Sequence, residues 1–281
     1  MPASSHLLIE PSSQRELHVK RQSRPLQHIV EPVALLLTWQ PVDEHHPVRT
    51  RRVVARIDRQ GADATFRYLQ NTDDFRAAWA AGFKGHPAFK LGIQDERNVG
   101  KGVGNDEDSD RQVFKTGVLE TFLRRLPPRK REDFPDFLAM HRLPSPFVHS
   151  DFALLGYTGA KLPSDGFSIV PIFSANSAPC DLVLEVAGFR HEPNADIAAL
   201  CIGDEVRLVA QEDNPHDINA VAIFHVDEGN PDAGLLRIGY VNRAMTGILR
   251  LWMKDRQVSA TIERVNGKPQ RPLVYIRLCV R

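Results

Sequence analysis

The chain lacks any apolar run long enough to form a membrane-spanning helix. Runs such as Val33 to Leu37 are strand-length, against the roughly 20 residues that a crossing needs. Cysteine is scarce: Cys180, Cys201 and Cys279 make an odd set without paired short spacing, which excludes a disulfide framework and argues against zinc. The N-terminus has no apolar segment after a basic start, so the expectation is a soluble protein in a reducing cytoplasm with no membrane partner. An excess of one charge is missing as well. A net charge of +1 argues against non-specific coating of nucleic acid, because counterion release needs many Lys and Arg on phosphates.

Cofactor signatures are equally thin. Gly100 to Gly104 has a glycine-lysine-glycine pattern, but no Gly-Lys-Ser or Gly-Lys-Thr follows and no hydrophobic strand leads into it, so it reads as a flexible turn. The acidic cluster Asp106 to Asp110 lacks the turn glycine and spaced glutamate of a calcium loop. Residues 92–112 are therefore expected to be a solvated loop, and no cofactor, metal or catalytic residue is assigned.

What is present is an ordinary globular composition, 42% hydrophobic and 25% charged over 281 residues, enough for two domains. Residues 1–31 are rich in Ser, Gln and Arg and broken by Pro2, Pro11 and Pro25, so they read as irregular. Alternation and apolar runs predict strands at Pro32 to Trp39, around Val53 to Ile57 and at Ala64 to Leu69. Asn71 to Asp74 supplies a helix start ahead of Phe75, Ala78, Trp79 and Phe83. Further helices are expected at Val113 to Arg125, at Arg131 to His141 and from Asp151, with a strand at Gly166 to Pro171. Residues 173–182 are small and polar enough for a linker.

Phe114, the run Phe122 to Arg129, Asp133 and Phe134, Asp151 to Leu155, Thr158 and Gly159, and Asp165 to Pro171 together resemble the N-terminal subdomain of HipA-type toxin kinases, over residues 32–172. The resemblance implies a small α+β packing unit that contacts a protein partner. The kinase core that follows in that family has no counterpart here: after residue 172 there is no phosphate-covering loop and no catalytic Asp with downstream metal ligands. A catalytically silent adaptor is the expectation.

The C-terminal part carries a fuller pattern. Leu182 to His191 contains a strand ending in Val-Ala-Gly-Phe-Arg, Glu205 to Ala210 is a second, and Glu212 to Phe224 contains Asp-Asn-Pro-His-Asp-Ile-Asn-Ala. Arg237 to Val241 and an amphipathic stretch from Ala244 to Met253 follow. This order is similar to the HIRAN family and covers residues 183–281. It implies an oligonucleotide-binding-like β-barrel, some of whose relatives capture the free 3′ end of single-stranded DNA. The fold class is then α+β, a small N-terminal domain followed by the barrel.

The residues have their own logic. Asn214, Pro215, Asp217 and Asn219 suit a tight turn in which short polar side chains bond nearby backbone. Asp217 and Asn219 can also accept from a sugar or base, while His191, His216 and Tyr240 offer flat faces on which bases stack. Arg190 and Arg243 can meet phosphates. His191 and His216 stand where the family pattern commonly has tyrosine. From Arg243 to Arg281 there are nine Lys or Arg against Asp255 and Glu263, a strip that can follow a phosphate backbone. The expected partner is therefore single-stranded DNA or a DNA end. Two other readings stand beside it: a metal-dependent nuclease or hydrolase using Glu212, Asp213 and Asp217, and a component of a toxin-antitoxin or phage-defence system acting through protein partners.

Overall fold

In the computed structural model the described residues are 24–43, 45–47, 49–91, 112–162, 164–215, 217–226, 235–268 and 271–281. The glycine-rich and acidic motifs of the 92–112 loop, and His216, lie outside them.

The first unit is a five-stranded antiparallel sheet in the order β4-β3-β2-β1-β5, with β1 Ala34–Trp39, β2 Arg52–Gln60, β3 Asp63–Tyr68, β4 Val113–Phe114 and β5 Phe167–Ile172. The unbroken apolar run of β1 reflects burial on both faces. Leu35 and Leu37 enter one core with Phe66, Phe75 and Phe122, whereas Leu36 points to the other face and packs against the second core. Strand β5 divides in the same way, Phe167 and Ile169 to one side and Val170 to the other. The period of two in a strand thus lets one sheet serve two cores.

Among the described residues four helices cover the first core: α1 Asp73–Ala80, α2 Val118–Leu123, α3 Phe134–Met140 and α4 Asp151–Thr158. Thr72 caps α1 by accepting from the Phe75 amide at 3.2 Å, and Ser150 caps α4 by accepting from Ala153 at 3.1 Å. Gly159 ends α4 in the left-handed region, φ 70°. The helix expected from Val113 starts five residues later. Val113 and Phe114 pair instead with Arg67 and Phe66, and the Asp63 carboxylate then accepts from the amides of Gly117 and Leu119 at 2.9 Å, fixing the start of α2.

The second unit is a curled, half-barrel sheet in the order β6-β11-β10-β7-β8-β9. Its strands are β6 Cys180–Glu185, β7 Glu205–Ala210, β8 Val221–Val226, β9 Leu235–Tyr240, β10 Val258–Lys268 and β11 Arg271–Val280. Strand β6 begins inside the segment expected as a linker: Cys180, Asp181 and Leu182 are buried and paired with β11. The two edge strands approach each other at a bridge between Ala187 and Tyr240. Helix α5, Arg243–Asp255, lays Met245, Leu249 and Trp252 into the core, the i, i+4, i+7 stripe of an amphipathic helix.

The units are closely joined. Trp252 Nε1 donates to Ala175 O at 3.2 Å, and Arg142 and Arg277 donate to the two oxygens of buried Glu263 at 2.6 and 2.7 Å. Residues 24–31, though without helix or strand, strap across the junction: the amides of Gln27 and His28 donate to Asp181 Oδ2 and that of Val30 to the Tyr157 hydroxyl. Burial works against the Asp181 charge, yet Arg281 and these donors hold its carboxyl below the usual carboxylate range. Among the described residues no helix is long and apolar enough to cross a membrane.

Candidate nucleic-acid interface

The predicted site residues gather at one end of the second sheet, where β6, β7 and β9 finish and β8 begins. Register makes this unavoidable. Ala210 pairs with Val221, Ala222 with Tyr240, and Ala187 exchanges two 2.8 Å hydrogen bonds with Tyr240. Within this rim the residues form two clusters of different character.

The first cluster surrounds Tyr240. Gly239 precedes it at φ 137°, where an added Cβ would lie 2.5 Å from Ala187 O and 2.7 Å from Val186 Cγ1, so only glycine lets the two edges meet. Beyond Ala187 the chain turns through Gly188 into a short 3₁₀ turn, Phe189–His191. Phe189 is buried and anchors this turn, while Arg190 and His191 are exposed. The Arg237 guanidinium lies over the Tyr240 ring, 5.3 Å from its centre, and is held by both oxygens of Glu192 at 3.0 Å. That bond to Glu192 keeps the guanidinium above its usual range. Arg190 has neither a hydrogen bond nor a salt bridge among the described residues.

The second cluster is the turn 211–220, which is closed by Gln211 N donating to Ala220 O at 2.9 Å. Asn214 donates from Nδ2 to Gln211 Oε1 and accepts from the Asp217 amide, while Asp217 Oδ1 accepts from the Asn219 amide at 2.9 Å. The other oxygen, Oδ2, accepts from Arg243 Nε at 2.9 Å. Arg243 also reaches the first unit, donating from Nη1 to Asp74 Oδ1 at 2.9 Å. Asp74 in turn accepts from Arg52 and from the Val53 amide. Burial opposes the Arg243 charge, but Asp217 and Asp74 hold it above the usual guanidinium range. A cleft of about 440 Å³ between the units is lined here by Leu36, Val53, Asp74, Asp217, Asn219 and Arg243.

The sequence placed Arg190, His191 and Tyr240 at one site with Asn214, Asp217, Asn219 and Arg243. They share a rim, but Asp217 and Arg243 are engaged with each other, and Arg243 with Asp74. Glu212, considered as a metal ligand, receives Arg250 Nη2 at 3.0 Å. Among the described residues no group of three or more His, Cys, Asp or Glu could hold a metal ion. Asp74, Glu192 and Arg237 escaped the sequence reading. Arg237 opens the Arg-Ile-Gly-Tyr step, and its three-residue spacing from Tyr240, across the irregular register beside Gly239, was the available signal.

Comparison with known proteins falls on this second unit. Residues 180–279 match the HIRAN domain family. That match supports nucleic-acid binding by the unit. Two solved structures are similar to part of the chain: the HIRAN domain of human HLTF, 17% identical over 36% of this chain and 74% of that one with a TM-score of 0.28, and a protein from Lactobacillus plantarum, 18% identical over 34% and 91% with a TM-score of 0.25. No curated protein matches the chain. The resemblance of residues 32–172 to HipA-type kinases gains no support from these comparisons.

Proposed function

We propose that the protein binds single-stranded DNA at a free 3′ end, through the rim of the second unit around Tyr240. The observation that carries this reading is the juxtaposition of a half-exposed aromatic ring with Arg190 and His191 on an anchored turn, within the region that matches the HIRAN family. A ring stacks on any base, His191 adds a second flat face, and Arg190 pairs with a phosphate. The preference for a free 3′ end comes from the resemblance of this unit to the HIRAN family, some of whose members capture such an end.

The first unit acts as a non-catalytic adaptor for a protein partner. Binding without cleavage is favoured over metal-dependent hydrolysis because Glu212 and Asp217 are engaged by Arg250 and Arg243. Fluorescence anisotropy with matched oligonucleotides ending in a 3′-hydroxyl or a 3′-phosphate tests the reading, with magnesium present and product analysis alongside. Tighter binding of the hydroxyl end with the strand left intact is expected. Equal affinity for both ends removes the end-binding role, and magnesium-dependent fragments replace it with a nuclease.

A further inference from the structure

Beyond the rim, a second group of cations lies where the two units face each other. Glu185 on β6, Tyr275 on β11 and Arg264 on β10 are paired in one cross-strand row, and the Arg264 guanidinium covers the Tyr275 ring at 4.2 Å. The first unit faces this row with three separate segments. Arg264 donates to Met140 O at the end of α3, Lys161 beyond α4 pairs with Glu185, and Arg51 acts on Glu185 from the segment before β2. Arg190, the exposed arginine of the rim, acts on the same carboxylate.

Lys161, Arg51 and Arg190 thus act on Glu185, Arg264 covers the neighbouring Tyr275, and Arg49 lies beside Arg51, which makes five cations in one neighbourhood. Of these, Lys161 has a carboxylate partner; among the described residues Arg49, Arg51, Arg190 and Arg264 have no salt bridge. Arg51 is satisfied by neutral oxygens, Ser168 Oγ at 2.8 Å and Gly166 O at 3.3 Å. Among the described residues Arg49 Nε is buried without an acceptor. His141 is pushed down to about 4 by burial and by the charges of Arg264 and Lys161. A solvated basic face spreads its charges into water, whereas these are drawn together where the two units meet, and like charges repel more strongly and an unmet donor costs more as the surroundings become less aqueous.

We propose that this group of cations is the continuation of the DNA site, a track for the phosphates of the strand whose end sits at Tyr240, with Arg190 shared by both. The inference rests on the end-binding reading and extends it onto the first unit. Phosphodiester is the chemistry that fits, since each guanidinium presents a planar fork to phosphate oxygens and a strand running away from the rim supplies one charge per residue.

The test uses the full chain, 3′-hydroxyl oligonucleotides of 4 and 14 nucleotides, and the double variant Arg49→Gln, Lys161→Gln, with Arg49→Lys as a charge-preserving control. The variant should bind the 14-mer about tenfold more weakly at low salt. Its slope of log affinity against log salt should fall by about 1.4, near 0.7 for each lost phosphate contact on a single strand. The 4-mer should stay within about twofold of the parent, and Arg49→Lys should behave as the parent does. If the double variant melts early, Arg49→Gln alone decides through a slope change of about 0.7. An unchanged slope in the folded variant overturns the track. A parent that binds the 4-mer through Tyr240 and gains nothing with length overturns the track alone. A parent that binds neither oligonucleotide removes the end-binding reading with it.

Discussion

The turn after β6 and the turn after β7 meet at one end of the same sheet, yet their polar groups are arranged in opposite ways. In the first, backbone pairing and buried Phe189 do the fixing, which leaves Arg190 and His191 directed to solvent beside Tyr240. In the second, the side chains themselves do the fixing: Asn214 and Asp217 close the turn, and Asp217 then joins Arg243 and Asp74 in a chain that crosses between the units. A motif rich in short polar residues can therefore be a latch, while a sparser stretch next to it presents the open contact face. Fixing a turn with its backbone leaves side chains available for a ligand.

The largest effect that would break this comparison comes from the latch. Asp74→Ala leaves Arg243 and Arg52 half-buried without their shared carboxylate, and should lower unfolding stability by about 2 to 4 kcal/mol. Urea denaturation measures it; a loss below about 0.5 kcal/mol would mean that the chain from Asp217 to Asp74 does not couple the units. A smaller effect is expected from Tyr240→Ala, which should weaken oligonucleotide binding by about 1 to 3 kcal/mol with the fold retained by circular dichroism. Unchanged affinity in the folded variant would remove the open face from the site. The smallest belongs to Asn219→Ala. Asn219 is exposed and contributes its backbone amide to the turn, so stability and affinity should each shift by less than about 0.5 kcal/mol. A tenfold loss of affinity would return the second turn to the binding surface.

Much of this arrangement is legible in the sequence because it is local. The strands β1 to β3 follow from apolar runs and alternation, the Thr72 cap from Asn71 to Asp74, and the 211–220 turn from its Asn, Pro and Asp residues. The fold of the second unit follows from the order of its strands and turns. What sequence could not give was partnership over distance. Asp74 meets Arg243 across 169 positions and Arg142 meets Glu263 across 121, so neither pair has a spacing to read. Val113 and Phe114 have helical periodicity behind them but find a free edge on β3, and tertiary pairing overrides local preference there. The strap at residues 24–31 has no periodicity at all, since its backbone is satisfied by Asp181, Tyr157 and Arg142 from elsewhere in the chain.

The most direct test of the open face is photocrosslinking of an oligonucleotide carrying 5-iodouracil at its 3′-terminal position, followed by peptide mapping. Adducts within residues 187–191 or at Tyr240 are predicted, and they should disappear when unlabelled 3′-hydroxyl strand competes. Adducts confined to the 211–220 turn and the start of α5 would contradict the account and place the ligand on the latch.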